Sequence, residues 1–141
     1  MYWQTQAISA ILEHVTTTLD ILIVEDDAVL RSLYIKKFAT AGYTIRAAED
    51  GEMALAEINK KSPDILVLDL HMPKMDGFQL LQQFPKKDRP FAVVILTNFA
   101  DEQTRQKGKT LGADDFFVKK DMTIKSLLEM VQRVGKEWKK K

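Results

Sequence analysis

The 141-residue chain contains no cysteine. This absence excludes disulfide bonds, thiolate metal sites and a cysteine nucleophile, and it is compatible with a reducing compartment. No stretch approaches the roughly 20 apolar residues that a membrane-spanning helix needs. Residues 1–18 also lack the basic start and continuous apolar run of a secretory signal. We therefore expect a cytoplasmic protein with no membrane partner.

An excess of charge of one sign is also missing. The chain has 21 Lys and Arg against 20 Asp and Glu, for a formal net charge of +1, which gives no global attraction to nucleic acid or membranes. No nucleic-acid-binding motif is recognised either, so we expect no direct nucleic-acid binding by this segment. A composition with 45% hydrophobic and 29% charged residues is typical of a globular protein, and the length predicts one domain with its own core.

From residue 20 onward, short β-branched runs alternate with helical patterns, which is typical of a parallel sheet covered by crossover helices. Strands are predicted at residues 21–24, 43–47, 64–68, 92–96 and 115–118. The first, third and fourth runs are continuously apolar and suit central strands, whereas Thr44 and Arg46 suit an edge strand. Helices are predicted over about residues 29–40, 51–60, 77–84, 101–110 and 124–138. The fourth helix is polar, so we expect it to be loosely held and mostly exposed.

The N-terminal residues stand outside this alternation. Ile8, Ile11, Leu12 and Val15 have the spacing of one helix face, which predicts an extra amphipathic helix. This helix packs on its own or a neighbouring chain, or it recruits a partner. The expected division is an N-terminal extension at 1–19, a domain at 20–138 and a basic tail at 139–141.

Polar side chains follow four of the predicted strands, and the carboxyl ends of parallel strands are where α/β sheets bind ligands. Two carboxylates about 4 Å apart repel by roughly 4 kcal/mol at an effective dielectric near 20. Such a cluster must protonate, pair with a cationic side chain or bind a cation, and oxygen ligands suit Mg²⁺. Zinc fits poorly without cysteine and with only two histidines. With the charge offset, one aspartate can act as a nucleophile at phosphorus. The residues at these strand ends are Glu25, Asp26, Asp27, Asp69, Thr97 and Lys119.

Four motifs lie at these strand ends in a fixed order. They are Ile-Val-Glu-Asp-Asp at 23–27, Leu-Asp-Leu-His-Met-Pro-Lys-Met-Asp-Gly at 68–77, Thr97, and Gly-Ala-Asp-Asp-Phe-Phe-Val-Lys at 112–119. With them the chain resembles the receiver domains of two-component response regulators over about residues 20–134. The resemblance implies a flavodoxin-like, doubly wound α/β fold with helices on both faces of a five-stranded parallel sheet of order 2-1-3-4-5. It also implies a phosphorylation-controlled signalling switch, which catalyses only its own phosphoryl transfer and dephosphorylation and is not an enzyme for other substrates.

The resemblance assigns the phosphoacceptor and the metal ligands. Asp69 takes the position of the phosphoacceptor. Asp26 takes that of a direct Mg²⁺ ligand, with Glu25 beside it acting directly or through water. Asp69 itself and the backbone carbonyl of His71 complete the protein ligands, and Mn²⁺ is expected to substitute for Mg²⁺.

The resemblance also assigns the groups that bind the phosphoryl group and respond to it. Thr97 donates its hydroxyl to that group, and Lys119 pairs with a phosphoryl oxygen or, beforehand, with Asp69. Asn98 stands where the family has a smaller residue, so its side chain crowds or hydrogen-bonds the phosphoryl group. Phe116 takes the position of the switch aromatic, whose ring turns inward when the threonine is drawn to the phosphate. The output surface implied is helix four, strand five and helix five.

Other positions tune or depart from the family pattern. His71 and Phe99 lie two residues beyond the acceptor and the threonine, positions that tune water access, and Phe99 predicts slow self-dephosphorylation. Lys120 stands where the family usually has proline; because a cis bond without proline costs about 2.5–4 kcal/mol, we expect a trans bond and a differently shaped loop. Asp27 is interpreted as a helix cap or surface residue rather than a ligand, and Asp76 with Gly77 as a turn that also offers a cap for the third helix.

The expected phosphodonor is a histidine kinase or histidine phosphotransfer protein, and the output protein or domain is not identified. We expect a monomer or a phosphorylation-dependent dimer, which is either a stand-alone receiver or part of a longer chain. The alternative is a pseudo-receiver or scaffold that binds partners independently of phosphorylation; Asn98, Phe99 and Lys120 keep this open. A phosphatase with an aspartyl nucleophile is disfavoured, because the position for its second acid is His71.

Overall fold

The computed structural model describes residues 18–72, 74–98, 101–121 and 123–139. Its five strands form one sheet of order β2-β1-β3-β4-β5, in which every neighbouring pair is parallel. This confirms the predicted order, and each strand begins and ends within one residue of its expected bounds. The strands are β1 (Asp20–Val24), β2 (Thr44–Ala48), β3 (Ile65–Asp69), β4 (Ala92–Thr97) and β5 (Asp115–Val118).

Helices connect the strands, with short 3-10 helices at Lys86–Asp88 and Lys119–Asp121. The third helix is shorter than the sequence predicted: it ends at Gln82 rather than near Phe84. The backbone N–H of Phe84 bonds to the carbonyl of Leu81 at 3.0 Å, so the chain tightens into a turn ahead of Pro85, which cannot continue a helix. The helices are α1 (Ala28–Thr40), α2 (Gly51–Lys60), α3 (Gly77–Gln82), α4 (Glu102–Thr110) and α5 (Ile124–Lys139).

The core lies on both faces of the sheet. Side chains alternate along β1, so that Ile21 and Ile23 join a cluster with α1 and α5, while Leu22 and Val24 join a cluster with α2 and α3. All residues of β1, β3 and β4 are buried, which explains why each strand is apolar except for one residue at its end. The edge strand β2 begins at the exposed Thr44, as predicted. In α4, Gly108 is the buried residue, which agrees with the expectation of a loosely held helix.

Within the described part of the chain, four helices begin at aspartate caps, and Asp27 and Asp76 are two of these caps. Asp27 accepts hydrogen bonds from the backbone N–H groups of Val29 and Leu30 at 2.9 and 3.0 Å. Asp76 accepts one from Gln79 N at 2.8 Å, while the Gln79 side chain accepts one from Asp76 N at 2.9 Å. These bonds satisfy N–H groups that lack a partner within the helix. The predicted cap roles of both aspartates are confirmed.

Gly77 allows α3 to start directly against the end of β3. A Cβ atom at this position would lie 2.9 Å from the carbonyl oxygen of Asp69, closer than real Cβ contacts. The backbone N–H of Gly77 also bonds to the carbonyl of Leu70 at 3.2 Å. The segment after Asp69 is therefore held in place by a helix start that only glycine permits.

The N-terminal helix predicted around Ile8–Val15 lies outside the described residues. Leu19, placed in the extension by the sequence pattern, is buried in the core, and its carbonyl accepts a hydrogen bond from Thr44 N at 3.0 Å. The division at residues 19 and 138 stays a prediction. Within the described ranges, no helix is both long and apolar enough to cross a membrane.

Candidate functional site

Three carboxylates meet at the carboxyl edge of the central strands. Glu25 directly follows β1 and Asp69 is the last residue of β3; both side chains are buried, whereas Asp26 is exposed. One oxygen from each of the three lies within 4.8 Å of the others. The neighbouring parallel strands β1 and β3 end together, and so they bring acids 44 residues apart into one cluster, as the sequence predicted.

Lys119 neutralises part of this cluster. It directly follows β5 and its Nζ donates to Glu25 Oε1 at 2.6 Å and to Asp69 Oδ2 at 3.0 Å. The sequence analysis allowed protonation, pairing with a cationic side chain or cation binding to relieve the repulsion between the carboxylates. The structure shows the pairing. Pairing of Lys119 with Asp69 ahead of any phosphoryl group matches the expectation drawn from the resemblance.

The electrostatics of the cluster follow from its burial. Burial, helped by the hydrogen bond and charge of Asp69, raises the pKa of Glu25 to about 7, although Lys119 opposes the rise. Burial alone would lower the pKa of Lys119, but its hydrogen bond to Glu25 and the charge of Asp69 outweigh burial and raise that pKa. Lys119 therefore stays charged at neutral pH, while Glu25 is poised between its two forms.

The backbone of the two acidic loops is fixed by further hydrogen bonds. Asp69 Oδ1 accepts from the backbone N–H of His71 at 3.2 Å. Arg31, one turn into α1, donates from Nη1 to the carbonyls of Glu25 at 2.9 Å and Asp26 at 3.3 Å. Sequence reasoning missed Arg31; the signal available was its position four residues after the helix cap, on the side of α1 where the loop begins.

The cluster lines an open pocket of about 610 Å³. His71 and Asn98 are exposed and line this pocket together with Asp69; their contact with a phosphoryl group stays a prediction. Lys120 also lines the pocket and belongs to the 3-10 helix after β5. No cis peptide bond occurs among the described residues, so the trans bond predicted at Lys120 is confirmed, whereas the differently shaped loop stays a prediction.

The predicted response residues lie on the neighbouring strands β4 and β5. Thr97 is fully buried as the last residue of β4, one position beyond the pairing of Asp69 with Leu96. Phe116 is half-buried on β5, opposite Ile95, and its ring lies 5.3 Å from the Arg105 guanidinium of α4. Their movement on phosphorylation stays a prediction. Phe99 lies outside the described residues.

The residues present fit a hydrated Mg²⁺. Carboxylate oxygens are the ligands this ion prefers, and it usually binds through one or two of them while keeping several waters. Tyr34 adds a second observation: it lines the same pocket, and its buried hydroxyl has no hydrogen-bond partner among the described residues. Sequence reasoning missed Tyr34, because its position in the apolar stripe of α1 marked it only as core.

Comparison with known proteins identifies the family. The sequence model of the response regulator receiver domain matches residues 21–132. The probable transcriptional regulator ycf27 of Porphyridium aerugineum is 34% identical over 121 residues, which cover 82% of this chain and 50% of that protein. The alkaline phosphatase synthesis transcriptional regulatory protein PhoP of Bacillus subtilis is 34% identical over 99 residues, which cover 70% of this chain and 41% of that protein. The chain thus spans about half or less of the length of these relatives.

Solved structures of similar proteins point to the same family. Chemotaxis protein CheY4 of Vibrio cholerae superposes with a TM-score of 0.77 at 29% identity, covering 83% of this chain and 98% of that one. A CheY-like receiver domain protein from Methanospirillum hungatei gives 0.81 at 26% identity, covering 87% and 98%. Phosphorylation and magnesium are general features of such domains, which serve signal transduction in two-component systems. The chain therefore belongs to the response regulator receiver domain family.

Proposed function

We propose that this receiver domain is a phosphorylation-controlled switch in which Asp69 accepts a phosphoryl group from a histidine kinase or histidine phosphotransfer protein. The observation that carries the proposal is the position of Asp69: it ends a buried strand, lines an open pocket, and pairs there with Lys119 beside two further carboxylates. A carboxylate at the end of an apolar strand has little packing purpose, because burying it costs free energy.

In the transfer step, a carboxylate oxygen of Asp69 attacks phosphorus. The bond from phosphorus to the imidazole nitrogen of the donor breaks, and its electron pair stays on that nitrogen. Glu25, Asp26 and Asp69, with the carbonyl of His71, would hold Mg²⁺, which supplies positive charge against the carboxylates and the phosphoryl oxygens. The Lys119 ammonium, 3.0 Å from Asp69 before the reaction, is placed to pair with a phosphoryl oxygen afterwards.

The response begins with the added charge. An aspartyl phosphate adds negative charge and acceptor oxygens, as other phosphorylations do at about −1.5 to −2. Thr97 and Asn98, at the end of β4, respond to this charge, and the Thr97 hydroxyl donates to a phosphoryl oxygen. The space that Thr97 leaves is filled by the ring of Phe116, which gives up its contact with Arg105 of α4. The surface of α4, β5 and α5 changes as a result.

The partners follow from this chemistry. A histidine kinase or phosphotransfer protein phosphorylates the domain, and an output protein or domain binds the changed surface. Because such donors obtain their phosphoryl groups from ATP, a cytoplasmic location is part of the proposal. A monomer or a phosphorylation-dependent dimer remains the prediction for its oligomeric state.

The test is the intact mass of the protein after incubation with acetyl phosphate and Mg²⁺. We expect one phosphoryl addition to the wild type, and none to Asp69→Asn or to a magnesium-free sample. Asp27→Asn is the matched control: it changes a neighbouring aspartate that caps α1, and asparagine caps equally well, so this variant should be modified like the wild type.

No addition to a folded wild type would contradict the proposal and favour the alternative, a pseudo-receiver or scaffold that binds partners without phosphorylation. Addition to Asp69→Asn at the wild-type level would place the acceptor elsewhere. The same samples with Mn²⁺ in place of Mg²⁺ are expected to be modified as well.

A further inference from the structure

The hydroxyl of Tyr34 is buried in an unusual way. The ring belongs to the core cluster between the sheet, α1 and α5, and the side chain is 0% exposed. Its Oη atom is also buried, and no described residue gives it a hydrogen bond or accepts one from it. Burying an unpaired polar atom is unfavourable, and phenylalanine would pack the same ring without this cost. The hydroxyl therefore lacks a hydrogen-bond partner that the described residues could have supplied.

The hydroxyl lies at the acceptor pocket. Tyr34 lines that pocket together with Glu25, Asp69 and Lys119. Burial raises the pKa of Tyr34 to about 12, and the charges of Lys119, Glu25 and Asp69 also act on it. The side chain is thus a neutral hydroxyl at neutral pH, able to donate one hydrogen bond and to accept others.

The charged groups around the hydroxyl already have partners of their own. Lys119 bonds to both Glu25 and Asp69, Glu25 Oε2 also accepts from Asp27 N at 3.4 Å, and Asp69 Oδ1 accepts from His71 N. What enters the pocket is then a candidate partner for Tyr34. A hydrated Mg²⁺ brings water hydrogens that need acceptors, and groups outside the direct ligands commonly orient a bound metal.

We propose that Tyr34 is a positioning residue of the acceptor pocket, whose hydroxyl hydrogen-bonds the hydration shell of the Mg²⁺ held by Glu25, Asp26 and Asp69. This inference rests on the proposed function, because it requires that the pocket bind Mg²⁺. It assigns the buried hydroxyl a role in metal affinity and none in folding. A direct contact with the phosphoryl group is the competing role, and it has a different kinetic signature.

The test compares wild type, Tyr34→Phe and Tyr43→Phe in Mg²⁺ titrations followed by backbone amide NMR shifts. Tyr34→Phe removes only the hydroxyl, and we expect it to raise the Kd for Mg²⁺ by roughly 3- to 10-fold. Tyr43 is the matched control: its half-buried ring packs on Phe38 with centroids 5.7 Å apart, away from the pocket residues. Tyr43→Phe should bind Mg²⁺ like the wild type.

Two further measurements separate positioning from a structural role. Without Mg²⁺, the Tm of Tyr34→Phe should equal or exceed that of the wild type, because the variant buries no unpaired hydroxyl. With acetyl phosphate, the Mg²⁺ concentration for half-maximal phosphorylation should rise by the same factor as Kd, while the rate at saturating Mg²⁺ stays unchanged.

Several results would overturn the inference. An unchanged Kd in Tyr34→Phe, a lower Tm without Mg²⁺, or a slower rate at saturating Mg²⁺ would each assign the hydroxyl another role, the last pointing to the phosphoryl group. If the wild type itself bound no Mg²⁺, the proposed function would fail and this inference with it. If the wild type bound Mg²⁺ and Tyr34→Phe bound it equally well, only the inference would fail.

Discussion

The stability of the metal-free domain is expected to fall as the pH rises from about 5 to 8, and Glu25 is the reason. Its pKa in the folded state is raised to about 7 from an ordinary value of 4.5 by burial and by Asp69. The folded state therefore binds a proton more tightly than the unfolded chain does. Protonated Glu25 contributes stability that is fully present below pH 4.5 and is lost by the time the pH has passed 7.

The size of the effect follows from that difference. Each pH unit between the two pKa values is worth about 1.4 kcal/mol, so the loss between 4.5 and about 7 is roughly 3 kcal/mol. Lys119, whose pKa is raised above its ordinary value, stays protonated over this range and adds no slope. Against a total stability of about 5–15 kcal/mol for a typical domain, the change is easily measured.

Urea denaturation at pH 5, 6, 7 and 8 without Mg²⁺ gives the free energy of unfolding directly. Glu25→Gln is the control, because an amide keeps the shape and cannot titrate; its curve should be flatter than that of the wild type. Saturating Mg²⁺ should also reduce the fall, since metal binding requires deprotonated ligands. A wild-type stability that is flat or rises from pH 5 to 8, or an equal slope in Glu25→Gln, would refute this reasoning.

Two substitutions test the packing of the site by the same assay. Lys119→Met leaves two buried carboxylates without their shared ammonium and should lower the free energy of unfolding by about 3 kcal/mol at pH 8. The loss should be smaller at pH 5, where Glu25 takes up a proton. Lys120→Met, at the exposed neighbouring lysine, should have little effect, and equal losses in the two variants would contradict the pairing of Lys119. Gly77→Ala places a Cβ atom 2.9 Å from the carbonyl oxygen of Asp69 and should cost about 1–3 kcal/mol, so an unchanged urea midpoint would show that α3 can move away.

The fold was predictable because its strands carry an unusually direct signal. The runs that became β1, β3 and β4 are apolar without a break, which only strands covered on both faces require. Helix ends were less predictable. The apolar spacing of Leu80, Leu81 and Phe84 continues past the last helical residue, Gln82, since packing against the sheet tolerates a turn as readily as a helix there.

The site was predictable as a set of residues but not as an arrangement. Each predicted acid follows or ends a strand, and parallel strands bring such residues together whatever lies between them. The sequence left open whether the carboxylates protonate, bind a cation or pair with a cationic side chain. The structure shows the pairing, because Lys119 Nζ lies 2.6 Å from Glu25 and 3.0 Å from Asp69. Arg31 bonds backbone carbonyls, which every residue has, so its position four residues after the Asp27 cap is only a weak signal. Tyr34 packs its ring as an apolar residue would, and its hydroxyl leaves no mark in the sequence.

The pairing of Lys119 also connects the resting state to the proposed switch. With all three carboxylates ionised, the cluster and the Lys119 ammonium have a formal charge of −2, which one bound Mg²⁺ would balance. The Lys119 ammonium has three N–H donors and uses two of them on Glu25 and Asp69. In the proposed switch it also bonds a phosphoryl oxygen, so the group that stabilises the resting site is the group that the new charge recruits. The helix that follows β4, α4, has a single buried residue, Gly108, and a cation–π contact from Arg105 to Phe116. Such a helix has little packing to lose, and so a change of bonding at Asp69 can alter the α4 surface at low cost in free energy.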